Sequence, residues 1–324
     1  MDLYKFYKKY GLFVILAIFI VVFSTLNTQF LTPGNLLNIL RQISMFGIVV
    51  VGYTMVMISG GCDMSVGGQL ALCGMFAATL NVTYGLPTFV VVILTLMLGA
   101  LFGLINGLLM NVFNIMPLIV TLGTMLFFQG ASYIISGGVA IFGLSDSFKF
   151  IGQGYLGFVP LPIVILLVIG VLGYIVLHKT YFGRQIYAMG GNPEAARLAG
   201  VNIKKYRLAV FTITGILAAA AGIIMAARTG SAQPSAGASY PFDCMTAVVL
   251  GGVSFAGGSG SMLGAMMGVI IIGVLNNGMQ LIGMDSNMIN CVKGIVLLIA
   301  IGIDSVQRTG KRQESLIFRI IGPE

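Results

Sequence analysis

Ten apolar stretches, nearly all about as long as a bilayer is thick, follow one another along this chain with short polar breaks between them. They fall roughly at 11–31, 36–58, 63–82, 87–111, 117–136, 160–178, 207–229, 240–253, 260–282 and 287–305. A helix crossing the ~30 Å hydrocarbon layer needs about 20 mostly apolar residues, because lipid offers backbone amides no partner and a helix satisfies them internally. Hydrophobic residues fill 58% of the 324 positions and charged residues 8%, against about 45–50% and 25% in soluble domains. No soluble core of this size absorbs so much apolar surface. The expected fold is all-α, a polytopic membrane protein of about ten transmembrane helices. It forms a single membrane domain over 1–310, with a polar loop at 179–207 and a cytoplasmic tail at 311–324. The stretch at 240–253 is short enough to be either a full crossing or a half-helix.

The net charge of +8 raises the question of nucleic acid, but its placement argues for a membrane face instead. Lys5, Lys8 and Lys9 precede the first stretch. Lys179, Arg184, Arg197, Lys204, Lys205 and Arg207 share one loop, and Arg308, Lys311, Arg312 and Arg319 follow the last stretch. With ten crossings these clusters share one side, which the positive-inside rule makes cytoplasmic, together with both termini. The apolar run through Val22 is long and lacks a small-residue cleavage site, so it reads as a retained first span. Cys62, Cys73, Cys244 and Cys291 lie in or beside apolar segments and read as small core residues, not as a disulfide or metal set.

Two segments cannot remain regular helix facing lipid. Gly60 to Gly68 and Gly251 to Gly260 each place glycine pairs and hydroxyls between apolar stretches. They must form surface hairpins or unwound segments buried against protein or a water-filled path. Gly60, Gly61, Asp63, Ser65 and Gly67 are thus candidates for a structural or gating turn, with Asp63 either capping a helix from Met64 or holding the turn.

The 179–207 loop carries its own helix signal. Asn192 suits an N-cap, Pro193 a first helical position, Glu194 the positive end of the dipole, and Gly200 a stop. A helix of about two turns is marginal alone in water, so a docked partner is one reading and a plain exposed loop the other. No Gly-x-x-x-x-Gly-Lys-Ser/Thr phosphate loop is present, so nucleotide energy must come from another chain. The sequence offers no catalytic constellation and no metal set. His178, beside Lys179 at the end of a stretch, reads as an interfacial anchor.

Charge within or beside a span costs at least about 2.5–3.5 kcal/mol at the bilayer centre, which singles out Arg41, Asp63, Asp243 and Lys293. Lys293 is expected to pair with Asp243 or Asp285. For a path through the bundle, neutral polar residues suit a solute that must be released again. The candidates are Asn106, Thr121, Thr124, Gln129, Asn276, Asn277 and Gln280, and interhelical hydrogen bonding explains any one of them equally well.

Along nearly its whole length the chain resembles the permease subunits of the ribose-type family of ABC importers. The resemblance rests on Asn35 to Gln42, Gly60 to Gly68, Gly103 to Leu109, Pro117 to Thr124, Ser136 to Gly138, Gly190 to Val201 and Gly273 to Gly278. Cys62 departs mildly from the aliphatic residue usual there. The resemblance implies a type II-like importer fold in a bacterial inner or plasma membrane. It implies a non-enzymatic subunit that passes a monosaccharide or related small molecule, with no cofactor in this chain. ATP and Mg would sit on separate cytoplasmic subunits. A second permease copy or homologue and an extracytoplasmic binding protein would complete the assembly, the latter meeting the outer loop from Gly137 to Val159. Asn192, Pro193, Glu194, Ala195, Ala196, Arg197 and Gly200 would form the coupling helix docked to the ATPase, with Arg184 nearby. The rival readings are an ion-coupled secondary transporter using Asp63 or Lys293, and a non-transporting scaffold.

Overall fold

The computed structural model describes the backbone of residues 3–321 and the side chains of residues 11–306. The outer basic clusters, Lys5, Lys8 and Lys9 and Arg308, Lys311, Arg312 and Arg319, lie outside those described side chains.

The chain is helical almost throughout: α1 (Leu3–Leu26), α2 (Pro33–Ile58), α3 (Val66–Val82), α4 (Thr88–Phe113), α5 (Pro117–Ser136), α6 (Asp146–Gln153), α7 (Leu161–Lys179), α8 (Tyr181–Gly191), α9 (Pro193–Leu198), α10 (Ile203–Thr229), α11 (Tyr240–Leu250), α12 (Met262–Leu281) and α13 (Ser286–Ile321). Among the described residues seven are long and apolar enough to cross a membrane: α2, α4, α5, α7, α10, α12 and Ser286–Val306 of α13. Gly11–Leu26, α3 and α11 are shorter apolar helices. Local chemistry sets many of the boundaries. Thr32 accepts the Asn35 amide ahead of Pro33, Asn202 accepts that of Lys205, and Ser261 that of Gly264. These caps satisfy orphan donors at the three N-termini.

A core of α2, α3, α10, α11 and α12 is wrapped by α4, α5, α7 and α13. The apolar stretch of α2 is 83% buried and that of α13 only 11%. The closest helix pair is α4 against α10. A Cβ on Gly103 would lie 2.2 Å from the Phe211 carbonyl, and one on Gly215 would lie 2.2 Å from that of Gly99. Small residues spaced by four therefore form the seam, as expected where lipid removes the hydrophobic drive between helices. Gly103→Leu should lower the thermal stability of the purified protein by about 1–3 kcal/mol through overpacking. Gly123→Ala, where a Cβ meets nothing within 4 Å, should leave it unchanged or slightly raised.

Two connections re-enter the bundle. After α2 the chain turns at Gly60 (φ +81°) and folds back, so that Cys62 Sγ lies 3.2 Å from Tyr53 Oη. The helix that follows starts at Val66, not Met64, and Asp63 does not cap it. Its carboxylate accepts the Ser65 amide and hydroxyl instead, at 2.9 and 2.5 Å. On the other side, residues 233–239 descend without helix until Gly237 meets Gly67, where a Cβ would be 2.3 Å from the Gly237 carbonyl. Only then does α11 begin. Its 11 residues span about 16 Å at 1.5 Å each, so helix and unwound segment together carry the chain between the bundle's ends. One end is marked by Arg228 donating to Asn38 at 2.7 Å, the other by the Gly258 amide donating to the Ile58 carbonyl at 2.8 Å.

At the Asn38 end, the 137–160 connection is folded. β1 (Ile141–Phe142) pairs antiparallel with β4 (Ser231–Ala232), β2 (Tyr155–Leu156) with β3 (Val159–Pro160), and α6 lies on the end of α10. Gln153 donates to the carbonyls of Ala227 and Arg228 at 3.1 and 3.0 Å, while Asp146 and Lys149 pair with each other at 3.3 Å.

Candidate functional site: a cavity and an exposed short helix at opposite ends

At the Ile58 end, α8 and α9 stand beyond the bundle, hinged at Asn192. The Asn192 side chain accepts the Ala195 amide at 3.0 Å, Pro193 occupies the first turn, and Gly200 (φ +84°) follows the helix in the left-handed region. Of α9 only Ala196 is buried, and Leu198 is 89% exposed. Glu194 and Arg197 pair at 3.7 Å on the exposed face, a contact worth at most about 1 kcal/mol. Arg184 lies over the Tyr181 ring on α8. Among the described residues none covers the other five positions of α9, all of which are exposed.

Behind it, glycine backbones from three segments meet. A Cβ on Gly190 would lie 1.8 Å from the Ile58 carbonyl and 2.7 Å from the Gly258 nitrogen, and one on Gly257 2.7 Å from Gly60. The end of α8 is thus in direct contact with the end of α2 and with the α11–α12 connection. Tyr187 reinforces the junction by donating to the Gly260 carbonyl at 2.8 Å; burial pushes its phenol above the ordinary value, so it stays a donor at neutral pH. The His178 ring accepts the Met262 amide at 3.1 Å. A cavity of about 290 Å³ opens beside the junction, lined by Ser59, Gly60, Pro117, Gly190, Pro193 and Arg207 among others.

Towards the opposite end, a cavity of about 880 Å³ opens between the 233–239 segment, α11 and α13. It adjoins another of about 250 Å³ reaching α2 and α12, and Tyr240, Asp243, Gln280 and Lys293 line both. Lys293 Nζ donates to Asp243 Oδ2 at 2.9 Å, and the Ser239 hydroxyl donates to the same oxygen at 2.9 Å. Asp285 is not the partner; its carboxylate accepts the Asn287 and Met288 amides at the start of α13. Asn38 holds the Arg228 guanidinium, and Arg41 stacks on and bonds to Tyr155. With Arg228 and Lys293 engaged, the cavity walls offer a solute mainly neutral groups.

The seven neutral candidates separate cleanly. Asn276 and Gln280 line the smaller cavity, and Asn276 Oδ1 has no hydrogen-bond partner. Gln129 borders a crevice against Pro234. Asn106 donates to Ser65, Thr121 to the Pro117 and Cys62 carbonyls, and Thr124 to the Thr121 carbonyl; Asn277 exchanges bonds with Asn35. Asn106, Thr121 and Asn277 thus tie their helices to other segments, Thr124 bonds only within its own helix, and none of the four borders that cavity. Residues not singled out by sequence, Gln42, Arg228, Ser235, Tyr240, Thr246 and Asn290, do line the cavities. The polar run from Ser231 to Ser239 inside an apolar region was the available signal. The four cysteines are free, and among the described residues no cluster of three His, Cys, Asp or Glu could hold a metal.

Residues 35–301 match the family described as branched-chain amino acid transport system / permease component. The chain belongs to this permease family. It is 42% identical over 299 residues to the ribose import permease protein of Bacillus subtilis, covering 92% of each chain. It is 34% identical over 323 residues to the galactose/methyl galactoside import permease protein of Haemophilus influenzae, covering 94% of this chain and 96% of the relative. The xylose transport system permease protein of the same organism is 33% identical over 360 residues, with 92% and 96% covered. No solved structure matches. This places the permease in the ribose-type branch of the ABC importers. It is a multi-pass membrane transport component and not an enzyme; ATP and Mg act on a separate ATPase subunit, and a substrate-binding protein is the other partner the family implies.

Proposed function

We propose that this permease carries ribose or a closely similar monosaccharide inward, as one of two membrane subunits driven by cytoplasmic ATPases. The observation that carries the sugar reading is identity of 40–42% over at least 90% of the chain with ribose import permeases of three organisms. The helices α1 to α5, α7 and α10 to α13 make ten crossings, with the unwound 233–239 segment completing that of α11. Both termini and α9 then lie on the cytoplasmic side. That orientation gathers the 179–207 basic loop on the face where the positive-inside rule wants it.

In this reading α9 docks in a groove on the ATPase. The Asn192 to Gly200 residues supply the docked surface, and Gly190 passes its movement to α2 and to the α11–α12 connection. α2 and the two helices that this connection joins, α11 and α12, form walls of the cavity at the outer end, where Asn276, Gln280, Tyr240 and Ser235 offer replaceable hydrogen bonds to hydroxyls. Weak neutral partners suit a path, since a strong site would hold the sugar and stop it. The folded 137–160 connection faces the binding protein.

The test is uptake by vesicles holding the permease and its ATPase, with labelled ribose presented on its binding protein. Uptake should require ATP, and an ion gradient without the ATPase should not replace it. Uptake on the gradient alone would overturn the reading. Glu194→Arg reverses the charge at the start of α9 and breaks its Arg197 pair. It should leave the chain inserted while reducing ATPase co-purification at least about tenfold, equivalent to 1.4 kcal/mol of docking energy. Unchanged co-purification and uptake would remove α9 from the interface.

A further inference from the structure

Asp63, Ser65, Gln69 and Asn106 are wholly buried where the 61–65 segment folds back between α3 and α4. Ser65 Oγ is their hub. It accepts from Gln69 Nε2 at 2.6 Å and from Asn106 Nδ2 at 2.8 Å, and donates its one proton to Asp63 Oδ1 at 2.5 Å. Because that proton is committed, both amides must turn their NH₂ groups towards the hub. Their oxygens are then left over. Asp63 Oδ2, Gln69 Oε1 and Asn106 Oδ1 are all buried without a hydrogen-bond partner. Each lies one step of ~2.2 Å from an atom bonded to Ser65 Oγ, and therefore within about 5 Å of it. Among the described residues no cation pairs with Asp63.

Three orphan acceptors and one uncompensated negative charge share a deficit. A proton on Asp63 removes the charge but serves at most one further acceptor. A water supplies two donors and leaves the charge in place. A cation seated within reach of all three oxygens would answer the charge and the acceptors together. The donors are all hard oxygens, which excludes soft metals, and a single carboxylate balances one positive charge. We infer that Asp63, Gln69 and Asn106 form a binding site for a monovalent inorganic cation, of which sodium is the natural occupant, pinning the re-entrant 61–65 segment. The ion is a structural ligand of the permease and its binding does not depend on the direction, energy source or substrate of transport.

The test uses the full chain purified in detergent, with radioactive sodium in equilibrium binding and thermal unfolding in sodium chloride against choline chloride at equal ionic strength. Saturable binding near one ion per chain and an unfolding midpoint that rises with sodium are expected. Asp63→Asn should weaken binding at least about tenfold, and Gln69→Leu by a smaller factor. If either variant does not fold, the wild-type measurement decides. Absence of saturable sodium binding, with equal midpoints in the two salts, would assign the cluster to water or a proton and overturn the proposal. Undiminished binding in folded Asp63→Asn would overturn it as well.

Discussion

Gly190→Val is expected to abolish ATP-driven uptake, with a fall of about a hundredfold or more, while the chain still inserts and still co-purifies with its ATPase. The reason is steric and local. Even the first carbon of a side chain would sit 1.8 Å from the Ile58 carbonyl and 2.7 Å from the Gly258 nitrogen, and both contacts are backbone, so no rotamer relieves them. Overpacking of this kind costs about 1–3 kcal/mol where the surroundings can shift. Here the shift would separate α8 from α2 and break the Gly258–Ile58 hydrogen bond. Because α9 lies beyond the substitution, its docking surface survives. ATP hydrolysis should therefore persist without transport, and an uptake rate near wild type would refute the junction as the route of coupling. Gly191→Ala, one residue on and at a position where a Cβ meets nothing within 4 Å, should retain at least half of the wild-type rate.

Lys293→Ala should destabilise the permease by about 3–5 kcal/mol, because it strands the Asp243 carboxylate without its cation. The side chains of the pair are only 15% and 7% exposed, so solvent compensates little. The double replacement Lys293→Met with Asp243→Leu removes both charges and should recover most of that stability, as apolar substitutes for buried pairs commonly do. Thermal unfolding in detergent reads the difference. Equal destabilisation in the single and double variants would mean that packing of the lysine stem, not an unpaired carboxylate, sets the effect. Uptake should remain impaired in the double variant, since Asp243 and Lys293 line both of the cavities proposed as the path.

Sequence and structure agree most closely where the physics is local. Apolar length foretold the positions of the helices, and the order Asn192, Pro193, Glu194 foretold a capped turn, because a cap is made within four residues. Pairing across the bundle was legible only as a requirement. A lysine six residues into a span must meet an acid, but nothing in the spacing chooses Asp243 over Asp285. That choice depends on the unwound 233–239 segment, which sinks α11 far enough for Asp243 to reach Lys293. The path was least legible. Asn276 and Asn277 are neighbours on one helix, yet the first faces a cavity and the second bonds Asn35; an amide carries no mark of which it will do. Asp63 likewise looks like a cap in sequence because the fold-back that gathers Ser65, Gln69 and Asn106 around it is a tertiary event.

The proposed mechanism requires that the outer cavity lie on the substrate path and that the ATPase open and close it. The direct measurement is the labelling rate of Gln280→Cys, in a chain with its four native cysteines replaced, by a membrane-impermeant maleimide added from the outer side. Rates are compared in the resting complex and in the complex trapped with ATP and vanadate. A change of at least about tenfold between the two states is expected, lost when Gly190→Val is added. Equal rates in both states, with the trap verified on the ATPase, would contradict it.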